Sequence, residues 1–403
     1  MSASAVHDSP YAWGRLALTL ACACVGSVGM WAIIALLPDV EAEFGTDRGT
    51  VSAAYTVCMV GFAAGSLMIG RWVDRYGITP VLIGSAVVLA AGFAASAVSP
   101  TIWGVIVTHL LIGFGAAAFF GPLIADISHW FLARRGIAVA ITASGNYLAG
   151  AIWPHVLTGV TEASGWRGAY LVLAVVVPLI VVPLSFVLRR QVPDEAAAIA
   201  DSAASLRRRA TGLSPRALQV FLMIAGVACC MAMAMPQVHI VALCVDMGFG
   251  PTVGAEMLSL MLLGGVTSRL ISGMIADRLG GVLTLLIGSV MQCIALFLYL
   301  PANGMTSLYI VSLIFGLSQG GIVPAYSIIV REYMPSREAG ARVGYVTFAT
   351  IVGMAGGGWV SGLIYDWTGS YDLAFINGIA WNALNIAIVG MILWTTTRRV
   401  APA

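Results

Sequence analysis

Long apolar runs alternate with short polar interruptions along the chain, and the length of the runs decides the architecture. A helix crossing a bilayer needs about 20 mostly apolar residues. Twelve segments qualify, at 14–37, 49–69, 79–98, 102–125, 136–160, 168–188, 217–244, 252–275, 281–300, 306–329, 340–363 and 372–395. Pro154, Pro236 and Pro324 fall inside them, so tilted or kinked helices are expected. The longest polar interruption, RRQVPDEAAAIADSAASLRRRATGLSPR, separates six segments from six. The pattern predicts an all-α integral membrane protein, twelve transmembrane helices in two pseudo-symmetric six-helix bundles. The bundles are expected over 1–188 and 217–403, joined by a cytoplasmic linker over 189–216.

Composition agrees: of 403 residues, 60% are hydrophobic and 9% charged, against about 25% charged in a soluble domain. The first run lacks a strongly basic start and is followed by LLPDVEAEFG rather than a small-residue cleavage site, so a retained span is expected, not a signal peptide. The seven cysteines all fall inside the runs and read as small apolar residues, without metal or disulfide spacing. All 20 basic residues are Arg. With the N-terminus inside, 17 of them fall at cytoplasmic ends, Arg48 and Arg167 fall outside, and Arg269 lies in the membrane. This asymmetry predicts cytoplasmic termini in a plasma membrane, expected to be a bacterial inner membrane. The Arg207 to Arg209 run reads as an orientation-setting cluster. A net charge of +2 requires no nucleic-acid partner. No nucleophile and base constellation, metal cluster or phosphate loop stands out, so neither an enzyme nor a cofactor is expected.

The halves repeat one another. GRWVDRYG at 70–77 recurs as GMIADRLG at 273–280, and GFGAAAFFGP from Gly113 recurs as GLSQGGIVP from Gly316, both at an offset of 203. Internal duplication of a six-helix unit is the trace of a two-domain rocking transporter. Gly70 and Gly273 permit close helix contact, and Gly77 and Gly280 permit a tight turn. Asp74 and Asp277 can accept hydrogen bonds from a helix N-terminus. Arg75, Arg278 or Arg71 can pair with Asp126 at the inner end of span four.

These loops resemble those of the major facilitator superfamily, and the resemblance covers nearly the whole chain. It implies that the loop after span two is a gate, with a weaker copy after span eight. EFGTDRGTVS (43–52), WFLARRGIAVAITASGNYLAG (130–150) and RLISGMIAD (269–277) are similar to the monocarboxylate porter family and its bacterial relatives, including oxalate/formate antiporter-type carriers. In the porters, an Arg in span eight followed by Gly four residues on and Asp or Asn eight on binds the substrate anion; Arg269, Gly273 and Asp277 fit that spacing. Three departures matter. The acidic residue that animal porters carry four positions earlier is Gly265 here, their span-one Lys has no counterpart in a chain without Lys, and SGNYLAGAIWP lacks the antiporter Gly-Pro. Proton coupling by the family's route is therefore not expected. Exchange or facilitated diffusion stays open, with a proton or a counter-anion as co-substrate.

Arg269 also stands out on physical grounds. Eight residues before Asp277 is about 12 Å of helix, well inside a core roughly 30 Å thick. A charge there costs at least about 2.5 kcal/mol and tends to mark a polar pathway. It reads as an uncompensated guanidinium in a cavity wall, an anion site whose fork grips a carboxylate; snorkelling to the inner surface is the alternative. Asn146 and Tyr147 in span five and Gln237 and His239 after Pro236 are candidate substrate contacts, with helix packing the alternative for Asn146, Tyr147 and His239. Gln319 and Tyr326 in span ten are further candidates, as is Trp31 in span one, with anchoring at depth as its alternative. Phe119 and Phe120 can wall an acyl chain, and His239 can supply a proton-linked group. Gly61 with Gly65, Gly353 with Gly356 and Gly358 with Gly362 offer small faces on spans two and eleven. The expected function is carriage of a small organic anion, a monocarboxylate, by a monomer using alternating access. A drug or metabolite exporter and a non-transporting sensor on the same fold are the alternatives.

Overall fold

The computed structural model describes residues 7–46, 48–192, 202, 205 and 213–400. Most of the linker, with Arg207 to Arg209, lies outside the described residues. Twelve helices are long and apolar enough to cross a membrane: Pro10–Leu37, Ala53–Tyr76, Ile78–Ala97, Ile102–Ser128, Arg135–Pro154, Gly159–Val187, Pro215–Asp246, Glu256–Leu279, Gly281–Tyr299, Met305–Tyr333, Ser336–Thr368 and Asp372–Thr395, here spans one to twelve. No strand occurs among the described residues.

Local chemistry sets where these helices start, turn and break. Ser-Pro opens each repeat: Ser9 accepts from the Ala12 N–H with Pro10 in the first turn, and Ser214 accepts from the Ala217 N–H with Pro215 in the first turn. Proline costs nothing there, because its missing N–H would have had no partner. Gly77 (φ 81°, ψ 169°) and Gly280 (φ 82°, ψ 164°) adopt the same conformation, one that is essentially restricted to glycine. Each turns the chain within one residue from one span into the next.

Spans four and ten are both interrupted. Span four runs as Ile102–Ala116, a 3-10 turn Ala117–Phe119, and Gly121–Ser128. Span ten runs as Met305–Gln319 and Ile322–Tyr333, with Gly320 and Gly321 at the break. Proline follows each interruption, at 122 and 324, in the first turn of the helix that resumes. The long helical stretch that carries spans five and six breaks at Gly165 (φ 68°, ψ 173°), a few residues into span six.

The chain forms two compact units. One comprises residues 1–132, 141–197 and 336–348; the other comprises 133–140, 198–335 and 349–403. Within the first, a Cβ on Gly113 would run into the carbonyl of Cys58, and one on Gly65 would lie 2.8 Å from that of Phe114. Within the second, a Cβ on Gly316 would run into the carbonyl of Met261, the contact displaced by the repeat offset. Spans two and four, and spans eight and ten, thus cross backbone to backbone, which gives close contact in a lipid-facing bundle its dispersion energy. Gly353 and Gly357 of span eleven meet Val227 and Met231 of span seven in the same way.

Candidate anion site and gating loops

In the second unit, Arg269 is buried, with 5% of its surface exposed, and its Nε donates to the carbonyl of Gly320 at 3.1 Å. The acceptor is a product of the helix break. The N–H that would reach back to Gly320 belongs to position 324, which is proline and has none. Gly320 is itself required, because a Cβ there would collide with the backbone of Gly265. The reading of Arg269 as an uncompensated guanidinium is therefore corrected: its Nε is anchored on the broken span. Its burial and this bond also exclude snorkelling to the surface. Gly265, where animal porters carry an acid, is part of the crossing that holds Gly320.

Gln319 sits one residue before that acceptor and is 1% exposed. Gln237 Nε2 donates to its Oε1 at 2.7 Å, while its own Nε2 has no hydrogen-bond partner among the described residues. Tyr326, by contrast, is fully buried and donates to Asn385 Oδ1 at 3.0 Å, in a network with Ser289 and Asn382 that ties span ten to spans nine and twelve. It is a packing residue. His239 has both nitrogens engaged: Nε2 donates to the Gly358 carbonyl at 2.8 Å, and Nδ1 lies 3.3 Å from the Tyr371 hydroxyl. A carbonyl only accepts, so the neutral ring is held as the Nε2–H tautomer with Tyr371 donating to Nδ1. Burial pushes the Tyr371 hydroxyl up to about 12, which keeps it a donor. Both nitrogens of the neutral ring are thus partnered within the second unit.

In the first unit, the Trp31 indole donates to the backbone carbonyl of Asn146 at 3.0 Å and leaves no room for a Cβ on Gly150. Asn146 is 9% exposed, and its amide contacts Met30 Sδ at 3.2 Å. Phe119 is fully buried over Gly26, where a Cβ would strike the ring, so it locks span four on span one instead of walling a cavity. Phe120 and Tyr147 are half-buried.

The duplicated loops have duplicated geometry. Asp74 accepts from the N–H groups of Gly340 and Ala341, both at 2.8 Å, at the start of span eleven. Asp277 accepts from those of Gly136 and, at 3.1 Å, Ile137, at the start of span five. Each carboxylate thus satisfies N–H groups that the first turn of a helix leaves without partners and faces the positive end of its dipole. Gly70 and Gly273, four residues before each Asp, let the two backbones meet: a Cβ on Gly340 would fall 2.7 Å from the Asp74 carboxylate, and one on Gly273 2.8 Å from the Gly136 carbonyl.

Asp126 is bound differently from expectation. Its partner is Arg15, whose Nη2 lies 2.7 Å from Oδ2 and 2.9 Å from the Leu188 carbonyl, not Arg71, Arg75 or Arg278. Arg71 instead donates to the Tyr345 hydroxyl, and Arg75 lies over the Tyr76 ring. Glu332, not singled out from sequence, accepts from the Gly281 N–H at 3.0 Å and caps span nine. Among the described residues no cluster of metal-ligating side chains occurs.

Twelve membrane-crossing helices with two copies of one turn motif define a duplicated helical membrane protein. Residues 19–281 and 220–402 match the Major Facilitator Superfamily. The chain belongs to that family of transporters. It is 26% identical over 390 residues to monocarboxylate transporter 11 of Homo sapiens, a match covering 90% of this chain and 79% of that protein. It is 23% identical over 308 residues to MFS-type transporter 1 of an Ophiocordyceps species, covering 74% of this chain and 66% of the relative. Its fold is similar to that of the proton:xylose symporter XylE, with a TM-score of 0.73, 12% identity and 96% of each chain covered.

Proposed function

We propose that the protein carries a small organic anion, a monocarboxylate, by alternating access, with Arg269 as the anion anchor. The observation that carries this reading is the buried guanidinium whose Nε is anchored on the Gly320 carbonyl. A planar fork presented in a low-dielectric setting is suited to bidentate capture of a carboxylate. The spacing from Arg269 to Gly273 and Asp277, and a relative named as a monocarboxylate transporter, support the same class. Gln319 and Gln237 are the polar neighbours that would orient the anion. The loops bearing Gly70, Asp74, Arg75, Gly77 and Gly273, Asp277, Arg278, Gly280 are the proposed gates, with Asp126 supporting the first through Arg15. The halves proposed to move are 1–188 and 217–403, joined by 189–216. The Arg distribution supports cytoplasmic termini in a bacterial inner membrane, and the protein is proposed to act as a monomer.

Exchange in proteoliposomes tests the assignment. Liposomes loaded with one small monocarboxylate should take up a labelled one through the wild type. Arg269→Gln should lower uptake by about tenfold or more, the loss of one charge-assisted interaction. Unchanged uptake by Arg269→Gln, inserted to the same level, would remove the anchor.

A further inference from the structure

We infer that a basic cavity in the first unit, separate from the proposed substrate anchor, binds the headgroup of an anionic phospholipid. The cavity measures about 840 Å³ and lies where spans two, four and six end. Three arginines line it: Arg189 and Arg190 at the end of span six, and Arg337 just before span eleven. Its two carboxylates are already engaged, Asp74 by the Gly340 and Ala341 N–H groups and Asp126 by Arg15. Among the described residues none of the three arginines forms an ion pair. With Asp126 offset by Arg15, three arginines face the single carboxylate of Asp74, so the cavity carries an excess of positive charge.

An apolar groove distinguishes a lipid from a soluble anion. A second cavity of about 290 Å³ is lined by Tyr11, Gly14, Arg15, Leu18, Val187 and Leu188. The two adjoin through consecutive residues: Val187 and Leu188 line the groove, Arg189 and Arg190 line the basic cavity, and the Arg190 guanidinium lies 4.8 Å over the Tyr11 ring. Both Val187 and the neighbouring Phe186 are more than half exposed on a membrane-crossing span. A headgroup phosphate beside the arginines with an acyl chain along Tyr11 and Leu18 uses both features, whereas a free phosphate uses only one. Basic clusters next to membrane spans attract anionic lipid headgroups. A headgroup bridging Arg189 and Arg190 to Arg337 would also hold the start of span eleven where Gly340 and Ala341 meet Asp74, so occupancy would stabilise that gating contact.

The full chain, purified in detergent and delipidated, would be titrated with phosphatidylglycerol, phosphatidylcholine and inorganic phosphate while thermal stability and bound lipid by native mass spectrometry are followed. Phosphatidylglycerol should bind and stabilise, phosphatidylcholine and phosphate should not. R189Q/R190Q/R337Q should lower phosphatidylglycerol affinity by about tenfold or more, and Arg337→Gln alone should lower it while sparing the span-six charges that help orient the chain. The charge-matched R207Q/R208Q/R209Q should change it by less than about twofold. Equal loss in that control would mean general surface attraction, equal response to phosphate would mean a soluble anion, and indifference to lipid class would mean no site; each overturns the inference.

Discussion

Arg15 and Asp126 show what a single residue's surroundings add to its identity. Both were legible as charges near a membrane boundary, but their partnership depends on which faces of spans one and four meet, and no spacing rule encodes that. Phe119 and Tyr326 make the same point: an aromatic side chain beside glycines in a membrane span reads equally as a cavity wall or as packing, and the structure places both in packing. At the other membrane face, Arg167 donates to Glu43 Oε1 from Nε at 2.9 Å and from Nη2 at 2.7 Å, and the Trp166 indole donates to Oε2 at 2.5 Å. The Arg167 hydrogen bonds, outweighing partial desolvation, hold the Glu43 carboxyl below its ordinary value of 4.5. A depressed carboxylate contributes stability that is present above its unfolded-state value and is lost as pH falls through the folded one. Thermal scans in detergent should therefore show wild type and Glu43→Gln converging as pH drops below about 4.5 and diverging, with wild type the more stable, towards neutrality. Parallel curves across that range would show that the cluster contributes nothing.

In span ten the break in the helix creates a side-chain contact. Gly320 and Pro324 act as a pair: the glycine lets the backbone approach Gly265, and the proline leaves the glycine's carbonyl open for Arg269. Both residues are visible in the sequence, where Pro324 predicts a kink. Its consequence was not legible, because the recipient of the freed carbonyl comes from span eight, 51 residues away. Pro324→Ala would supply the missing N–H and set it in competition with Arg269 for the Gly320 oxygen. The variant should fold, keep or slightly gain stability, and raise KM for the transported anion several-fold as the guanidinium loses its anchor on Gly320. An unchanged KM would mean that the Gly320 contact does not orient the arginine.

Duplication governs the whole molecule. The twelve spans, the paired turn glycines and the two Asp-bearing loops were all legible, because they depend on hydropathy, on a backbone conformation only glycine adopts, and on a repeat visible at constant offset. The carboxylate-to-helix-start contacts were anticipated in kind, though not the recipients Gly340, Ala341, Gly136 and Ile137. Because the two loops are built alike, Asp74→Asn and Asp277→Asn should each lower stability by about 1–2 kcal/mol. Their effects should add in the double variant, as for independent sites. A loss confined to one loop would show that only that copy remains structural.

Ligand-induced thermal stabilisation reads the proposed role of Arg269 most directly, since a ligand that binds only the folded protein raises its apparent stability by mass action. Purified wild type and Arg269→Gln would be heated with a panel of small mono- and dicarboxylates, aromatic acids and cationic drugs. Monocarboxylates should stabilise the wild type in a concentration-dependent way and leave Arg269→Gln unmoved. An anion response that survives the substitution, or stabilisation by cations alone, would contradict that role.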